Sequence, residues 1–350
     1  MTSVQEIQLE NGTWLFLAPV SGLELSQYVN YEYKLDKVTF ISSARLAQRR
    51  KKLGFSQKIS ELKSRAGELI KDFFSEEKTY ATLRLQGTGV ELKEQFLKIV
   101  REELAILSLS QLGYSRRRHN SFLAMSREYS PSKIRCLLLN TDNNTWAQLN
   151  ETTGKIQPLV LEGRWSKFSK KIFFNNLVQI ISGKTRVSRS WRNTIRNASI
   201  LAGQSQCSSD LPQAFLWNMI AIEMLLTQQG DKYSDSLPER AESFIGWASG
   251  WEVLNYEEKI RKVYKKRCDF VHDGNRESIE TQDVLFTDDL LLNITINIVR
   301  HPELFYSKKQ LIQFSEKIKA EHLLGIKWKI RPRTFRYLCP NYSEEDYKKI

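Results

Sequence analysis

This chain has few of the residues that staple or metallate a fold. Its 350 residues hold four cysteines and four histidines. Cys136, Cys207, Cys268 and Cys339 are widely spaced and form no Cys-x-x-Cys pair, which argues against the common zinc motifs and a disulfide framework. No metal and no cofactor is expected, and a reducing cytoplasm is the expected setting. Long apolar runs are missing too: nowhere do the roughly 18 uninterrupted apolar residues of a membrane span occur. The greasiest stretch, Leu290-Leu291-Leu292, is broken by Asn293 and Asn297. The start carries Glu6 and Glu10 and lacks an apolar signal core. A soluble protein with no membrane partner is therefore expected. Gly87-Thr88-Gly89 lacks the Gly-Lys-Ser/Thr ending of a phosphate-binding loop, so no nucleotide site is expected there.

Acidic residues are locally absent. From Gly163 through Ser209 there is no Asp or Glu, while Arg164, Lys167, Lys170, Lys171, Lys184, Arg186, Arg189, Arg192 and Arg196 accumulate. Over the whole chain Lys and Arg exceed Asp and Glu by 13, which favours a polyanionic partner. A charge run is often only a solvated helical face. So many cations without an anion exceed what solubility needs, and phosphate contact is the competing reading.

The length suits two cores of ordinary size. Residues 1 to about 45 alternate apolar and polar types with turn signals at Asn11-Gly12 and Ser21-Gly22, which predicts short strands with one wet face. Between Ser43 and Phe74, Leu53, Ile59, Leu62, Ala66 and Ile70 fall at helical spacing. Tyr80 to Leu85 reads as a strand leading through the glycine turn into a helix with Phe96, Ile99, Leu104 and Leu107 on its apolar stripe. Sheet resumes around Cys136-Leu137-Leu138-Leu139, with turns at Asp142-Asn143-Asn144 and Thr153-Gly154. From Ser188 the periodicity predicts helices over Trp191 to Leu201, from Pro212 toward Gly230, from Pro238 to Trp247, from Tyr256 to Val271, and from Asp283 to Val299. The expected fold class is α+β: a mixed, β-containing domain over 1–165, an all-α bundle over 166–305 and a basic, aromatic extension over 306–350. The extension's Trp328, Arg331, Phe335, Arg336 and Tyr337 suit either stacking on unpaired bases or docking onto the body.

The stretch that carries chemistry is Arg267-Cys268-Asp269-Phe270-Val271-His272, followed by Asp273-Gly274. It joins a permanent cation, able to grip two phosphate oxygens, to an imidazole that moves protons near neutral pH. The plain alternative makes Arg267 one more surface cation beside Lys265 and Lys266, and His272 a partner of the helix dipole. Five residues along an α-helix turn through about 500°, leaving Arg267 and His272 about 140° apart if the helix is straight. Either the helix frays before Gly274, or two copies combine across a symmetry axis.

At these residues the C-terminal half, about 185–300, resembles the HEPN superfamily in its Apea-like branch. Tyr264-Lys265-Lys266-Arg267 with Val271-His272-Asp273-Gly274 is similar to that branch's Tyr-x-x-Arg … Val-His-Gly element, with Asp273 inserted. The helix Phe215 to Leu226, with Glu223 before leucines, resembles its glutamate helix, and Leu237-Pro238-Glu239-Arg240-Ala241 its short Glu-Arg-x-Ala start. The resemblance implies a helical bundle that dimerises and cuts RNA without a metal, with Arg267 and His272 catalytic and Glu223 and Asp269 supporting them. Lys265, Lys266, Arg189, Arg192 and Arg196 are the candidate RNA-binding residues. A regulated toxin or antiphage effector is implied, restrained until a regulatory protein or phage-derived trigger is sensed. Two rivals are a catalytically inactive RNA-binding or scaffold module and a DNA-associated regulator.

Overall fold

The structure, a computed structural model, describes residues 12–54, 58, 60–61, 73–74, 77–87, 89–118, 121–126, 134–139, 146–151, 157–248, 251, 255–326, 329–339 and 342–343. It is α+β, with an antiparallel sheet in the N-terminal region and helices through the C-terminal part. Two compact units divide the chain: 1–33, 38–101 and 120–160 form the first, and 34–37, 102–119 and 161–350 the second.

The first unit holds β1 (Gly12–Ser21), β2 (Leu23–Leu25), β3 (Glu32–Lys34), β4 (Thr39–Ser42), β5 (Thr79–Gly87) and β6 (Ala124–Met125), all but β2 lying in one sheet in the order β3-β4-β5-β1-β6. β1 and β5 pair antiparallel from Gly12 opposite Gly87 to Val20 opposite Thr79. The alternation read in the sequence has its cause here: Ala18 and Val20 are buried while their neighbours are wetter. Ile41, Leu46 and Tyr80 form a core cluster, with Leu17 and Leu53 packed against it. Leu46 comes from helix α1 (Ser43–Arg49), which Ser42 caps by accepting the Arg45 N–H. Ile59, Leu62, Ala66 and Ile70 lie outside the described residues. Helix α2 (Gly89–Leu109) follows β5, and its Phe96 stacks on Phe16. The strand expected at Cys136 is β7 (Ile134–Leu139), paired with β8 (Trp146–Glu151). The two turns expected beside them, Asp142-Asn143-Asn144 and Thr153-Gly154, are outside the described residues.

The second unit contains α3 (Gly163–Lys171), α4 (Phe174–Ile181), α5 (Arg189–Gln206), α6 (Leu211–Leu226), α7 (Tyr233–Ile245), α8 (Tyr256–Asp273), α9 (Thr281–Val299) and α10 (Lys308–Leu323). Local signals explain several ends. Ser188 accepts the Trp191 N–H, Asp210 accepts the Gln213 N–H ahead of Pro212, and Gly274 closes α8 at φ 69°. α9 is buried almost all round, which explains why its sequence reads as a greasy run. Gly203 of α5 faces the backbone of α2, where an added Cβ would overlap the Ala105 carbonyl oxygen.

The sequence misplaces one start. Pro238 does not open α7 but sits inside it, because the helix begins five residues earlier at Tyr233. A proline there leaves the Ser234 carbonyl without its i+4 donor. Arg261 of α8 supplies the missing proton, donating from Nη1 to that oxygen at 2.8 Å. α10 falls in the stretch expected as a basic extension and is an addition to it, with Leu311, Ile312, Phe314, Ser315 and Ile318 buried at helical spacing.

A polar network lies inside this unit. Arg117 and Asp288, 2% and 3% exposed, meet through two 2.8 Å hydrogen bonds, Nε to Oδ2 and Nη2 to Oδ1. Arg117 also donates to the Ser205 carbonyl and hydroxyl, while Gln206 and Asn218 donate to Asp288 Oδ1. Burial opposes the Arg117 charge, and the Asp288 carboxylate more than offsets it, leaving the guanidinium above its ordinary pKa.

Candidate active site

The candidate site stands where α6 meets α8. α6 turns its apolar residues into the core, and Glu223 is buried among them, 7% exposed. A buried carboxylate without a partner would be costly. Its partner is Arg267 of α8, whose Nη2 donates to Oε2 at 3.0 Å while Nε stands 2.9 Å from Oε1. The second approach is a contact of charges rather than an aligned hydrogen bond. Burial pushes the Glu223 carboxyl above its ordinary pKa, and Arg267 pulls it back down. Glu223 and Arg267 thus meet, and Arg267 is a half-buried group held by another helix rather than one more surface cation.

Tyr264 lies one turn before Arg267 and bonds Cys268. Burial and that thiol push its hydroxyl up to about 12. The Tyr233 ring packs at 6.5 Å from the Tyr264 ring. Lys266 points elsewhere: its Nζ lies 2.6 Å from Asp283, which also caps the start of α9 by accepting the Glu280 N–H. Lys266 is therefore a tie between two helices and no free phosphate ligand.

His272 is exposed, near the end of α8, and the helix continues unbroken to Asp273. Fraying, the route by which a single chain brings its arginine and histidine together, does not occur. The two side chains leave the helix about 140° apart. Asp269, expected to support the pair, shares no hydrogen bond with His272 among the described residues. After Gly274 the chain turns back, and Arg276 pairs with Asp210 at the start of α6. This contact braces the exposed end that carries His272.

The basic segment divides on inspection. Arg196 is engaged by Asp36 at 3.2 Å and Glu102 at 3.3 Å, and Arg192 donates to the Val187 carbonyl at 3.3 Å. Arg189 and Lys265 are exposed and carry no ion pair among the described residues. Of the five cations proposed for phosphate contact, these two remain free to make it.

Two other histidines also find partners. His301 is buried, its ring bonded to the Asn297 carbonyl and the Thr334 hydroxyl. His322 lies 3.1 Å from Glu242. His119 lies outside the described residues. No group of three or more His, Cys, Asp or Glu positioned to hold a metal ion occurs among the described residues, and none of their helices is long and apolar enough to cross a membrane. Compared with protein-family models, curated proteins and solved structures, the chain matches none.

Proposed function

We propose that the helical unit is a HEPN-type, metal-independent endoribonuclease that works as a homodimer in the cytoplasm. The observation that carries this reading is the Glu223–Arg267 pair: a buried carboxylate aims a guanidinium from a second helix, and an exposed histidine follows five residues later. Arg267 Nη1 has no hydrogen-bond partner among the described residues and is the donor left for a phosphate oxygen. In the reaction the ribose 2′-OH gives its proton to one His272 imidazole and attacks phosphorus. The 5′ oxygen leaves with a proton from the partner's His272, and a 2′,3′-cyclic phosphate remains. Each proton transfer contributes ~10²–10⁴-fold. Arg267 neutralises charge growing on the phosphorane oxygens. The two side chains diverge within one chain, so this chemistry requires two copies, and a two-fold axis duplicates each group automatically. A regulated toxin or antiphage effector, released by a regulatory protein or phage-derived trigger, is the biological role that fits such a nuclease.

The test is total RNA incubated with EDTA and either wild type, Arg267→Ala or His272→Ala, followed by mapping of the ends. Cleavage by wild type alone is expected. Equal cutting by both variants sinks the assignment. A second reading draws on the same pair: Glu223 already engages Nε and Nη2 of Arg267, which makes the guanidinium a lock between α6 and α8 in an inactive RNA-binding or scaffold module. That module binds RNA in a salt-sensitive way, makes no new ends, and is indifferent to His272→Ala.

A further inference from the structure

We propose that the groove formed by α7, α9 and the start of α8 is a binding site for an extended peptide of the pattern Phe-x-Tyr-x. The chain's own segment Arg331–Leu338 is then its resident and detachable ligand. Residues 335–339 form neither helix nor strand, yet they are held by a repeated device. Asn297 donates to the Arg336 carbonyl at 3.0 Å and accepts the Arg336 N–H at 2.8 Å. Asn293 does the same to Leu338, at 2.7 Å for both bonds. Each amide thus reads both main-chain groups of one residue.

The spacing suits an extended backbone and little else. Four residues of α-helix advance about 6 Å, and two residues of extended chain about 6.6 Å. The asparagines step along α9 at the pace at which every second residue of a peptide presents its N–H and C=O inward. They are 1% and 0% exposed, in a helix buried almost all round. Leaving such an amide unsatisfied costs about 1–3 kcal/mol. The groove therefore favours an occupant with a free, strand-like backbone.

Side chains supply selectivity. Phe335 is buried among Phe244, Phe305, Phe314 and His301, with ring centroids 5.0 to 6.3 Å away. Arg336 faces solvent, which makes it the free position. The Tyr337 hydroxyl meets that of Tyr256 at 2.6 Å. Backbone recognition excludes proline at positions 336 and 338, and the buried pocket demands an aromatic ring at 335. A partner presenting an extended Phe-x-Tyr segment fits the same site once the resident strap leaves. None of this depends on the nuclease reading.

The test uses the full chain with a site-specific protease sequence inserted after Gly325, cleaved once the protein has folded. A fluorescein-labelled peptide spanning residues 329–343 is then added and anisotropy followed. Saturable uptake is expected, weakened about tenfold or more by Phe335→Ala or Arg336→Pro in the peptide, or by Asn297→Ala in the protein. Lack of uptake, equal uptake of the variants, or unfolding on cleavage overturns the proposal. Intact wild type gives an independent check by hydrogen exchange. The Arg336 and Leu338 amides should exchange together, about tenfold or more faster than those of α9. Exchange at the α9 rate makes the strap part of the core and refutes detachment.

Discussion

Arg117 and Arg267 each face a carboxylate with two nitrogens, and their surroundings differ. Arg117 is 2% exposed and uses Nε, Nη1 and Nη2 on Asp288 and Ser205, whose partners are themselves tied by Gln206 and Asn218. Arg267 is 21% exposed and, among the described residues, has its ion pair and hydrogen bond with Glu223 alone, which leaves Nη1 unassigned. A guanidinium that spends four of its five N–H groups inside a dry network is a lock, because no exposed donor remains for a ligand and any rearrangement strands a charge. A guanidinium braced on one edge and open on the other is aimed rather than locked. The comparison separates structural from candidate functional arginines by what each has left to give.

Arg117→Ala strands the Asp288 carboxylate in the core and should cost about 3–5 kcal/mol, read from urea unfolding. A loss of less than about 1 kcal/mol breaks the contrast at its structural end. Arg267→Ala should destabilise less, by about 1–2 kcal/mol, since burial already raises the Glu223 carboxyl above its ordinary pKa and, without the arginine, it relieves its charge by taking a proton. RNA cleavage should nevertheless fall by ~10²–10³-fold. If Arg267→Ala unfolds the protein as readily as Arg117→Ala, the two arginines are alike and the aimed reading fails.

A pH series sharpens the structural end. Burial, with Asp288 beside it, pushes the Asp289 carboxyl from 3.8 up to about 8. Because the folded value is the higher one, the native state holds the extra proton between these pH values. This contribution is full below about 3.8 and is lost as pH climbs through about 8. Asp289→Asn should therefore unfold at a higher denaturant midpoint than wild type at pH 8, with the gap closing toward pH 4. Lys308 has the opposite sign: burial lowers its ammonium to about 7, so its contribution grows from there toward 10.5. Comparing the variant with wild type cancels that background. The smallest effect belongs to His272→Ala, which should leave stability within about 0.5 kcal/mol because the side chain is exposed. If cleavage persists in that variant, the imidazole has no role in it.

Much of the helical unit was legible because its signals are local. Ser188, Asp210 and Gly274 mark helix ends by chemistry confined to one turn, and the three- and four-residue steps of Phe215, Met219, Ile222 and Leu226 identify a buried face. The Glu223–Arg267 pairing came from resemblance and a burial argument, and the two groups do meet. Arg117 was not legible: its partner lies 171 residues away, and in sequence it is the middle of three arginines. Lys266 and Arg196 read as free cations because the acids that engage them, Asp283, Asp36 and Glu102, are distant in the chain or look like ordinary surface charge. Pro238 read as a helix start for want of any sign that Arg261 replaces its missing hydrogen bond. Asn293 and Asn297 were noticed only as interruptions of an apolar run. Their purpose emerges when the strap they hold is seen beside them.

Gly203 bears on the cations themselves. The residues 7, 11 and 14 positions before it, Arg196, Arg192 and Arg189, fall within about 40° of it around an α-helix. Because α5 approaches α2 through this hydrogen-only position, its rotational setting is pinned, and with it the azimuth of all three guanidinium groups. The stripe is aimed toward Glu102 and Asp36 by a side chain that is not there, and only its far end, at Arg189, escapes into solvent.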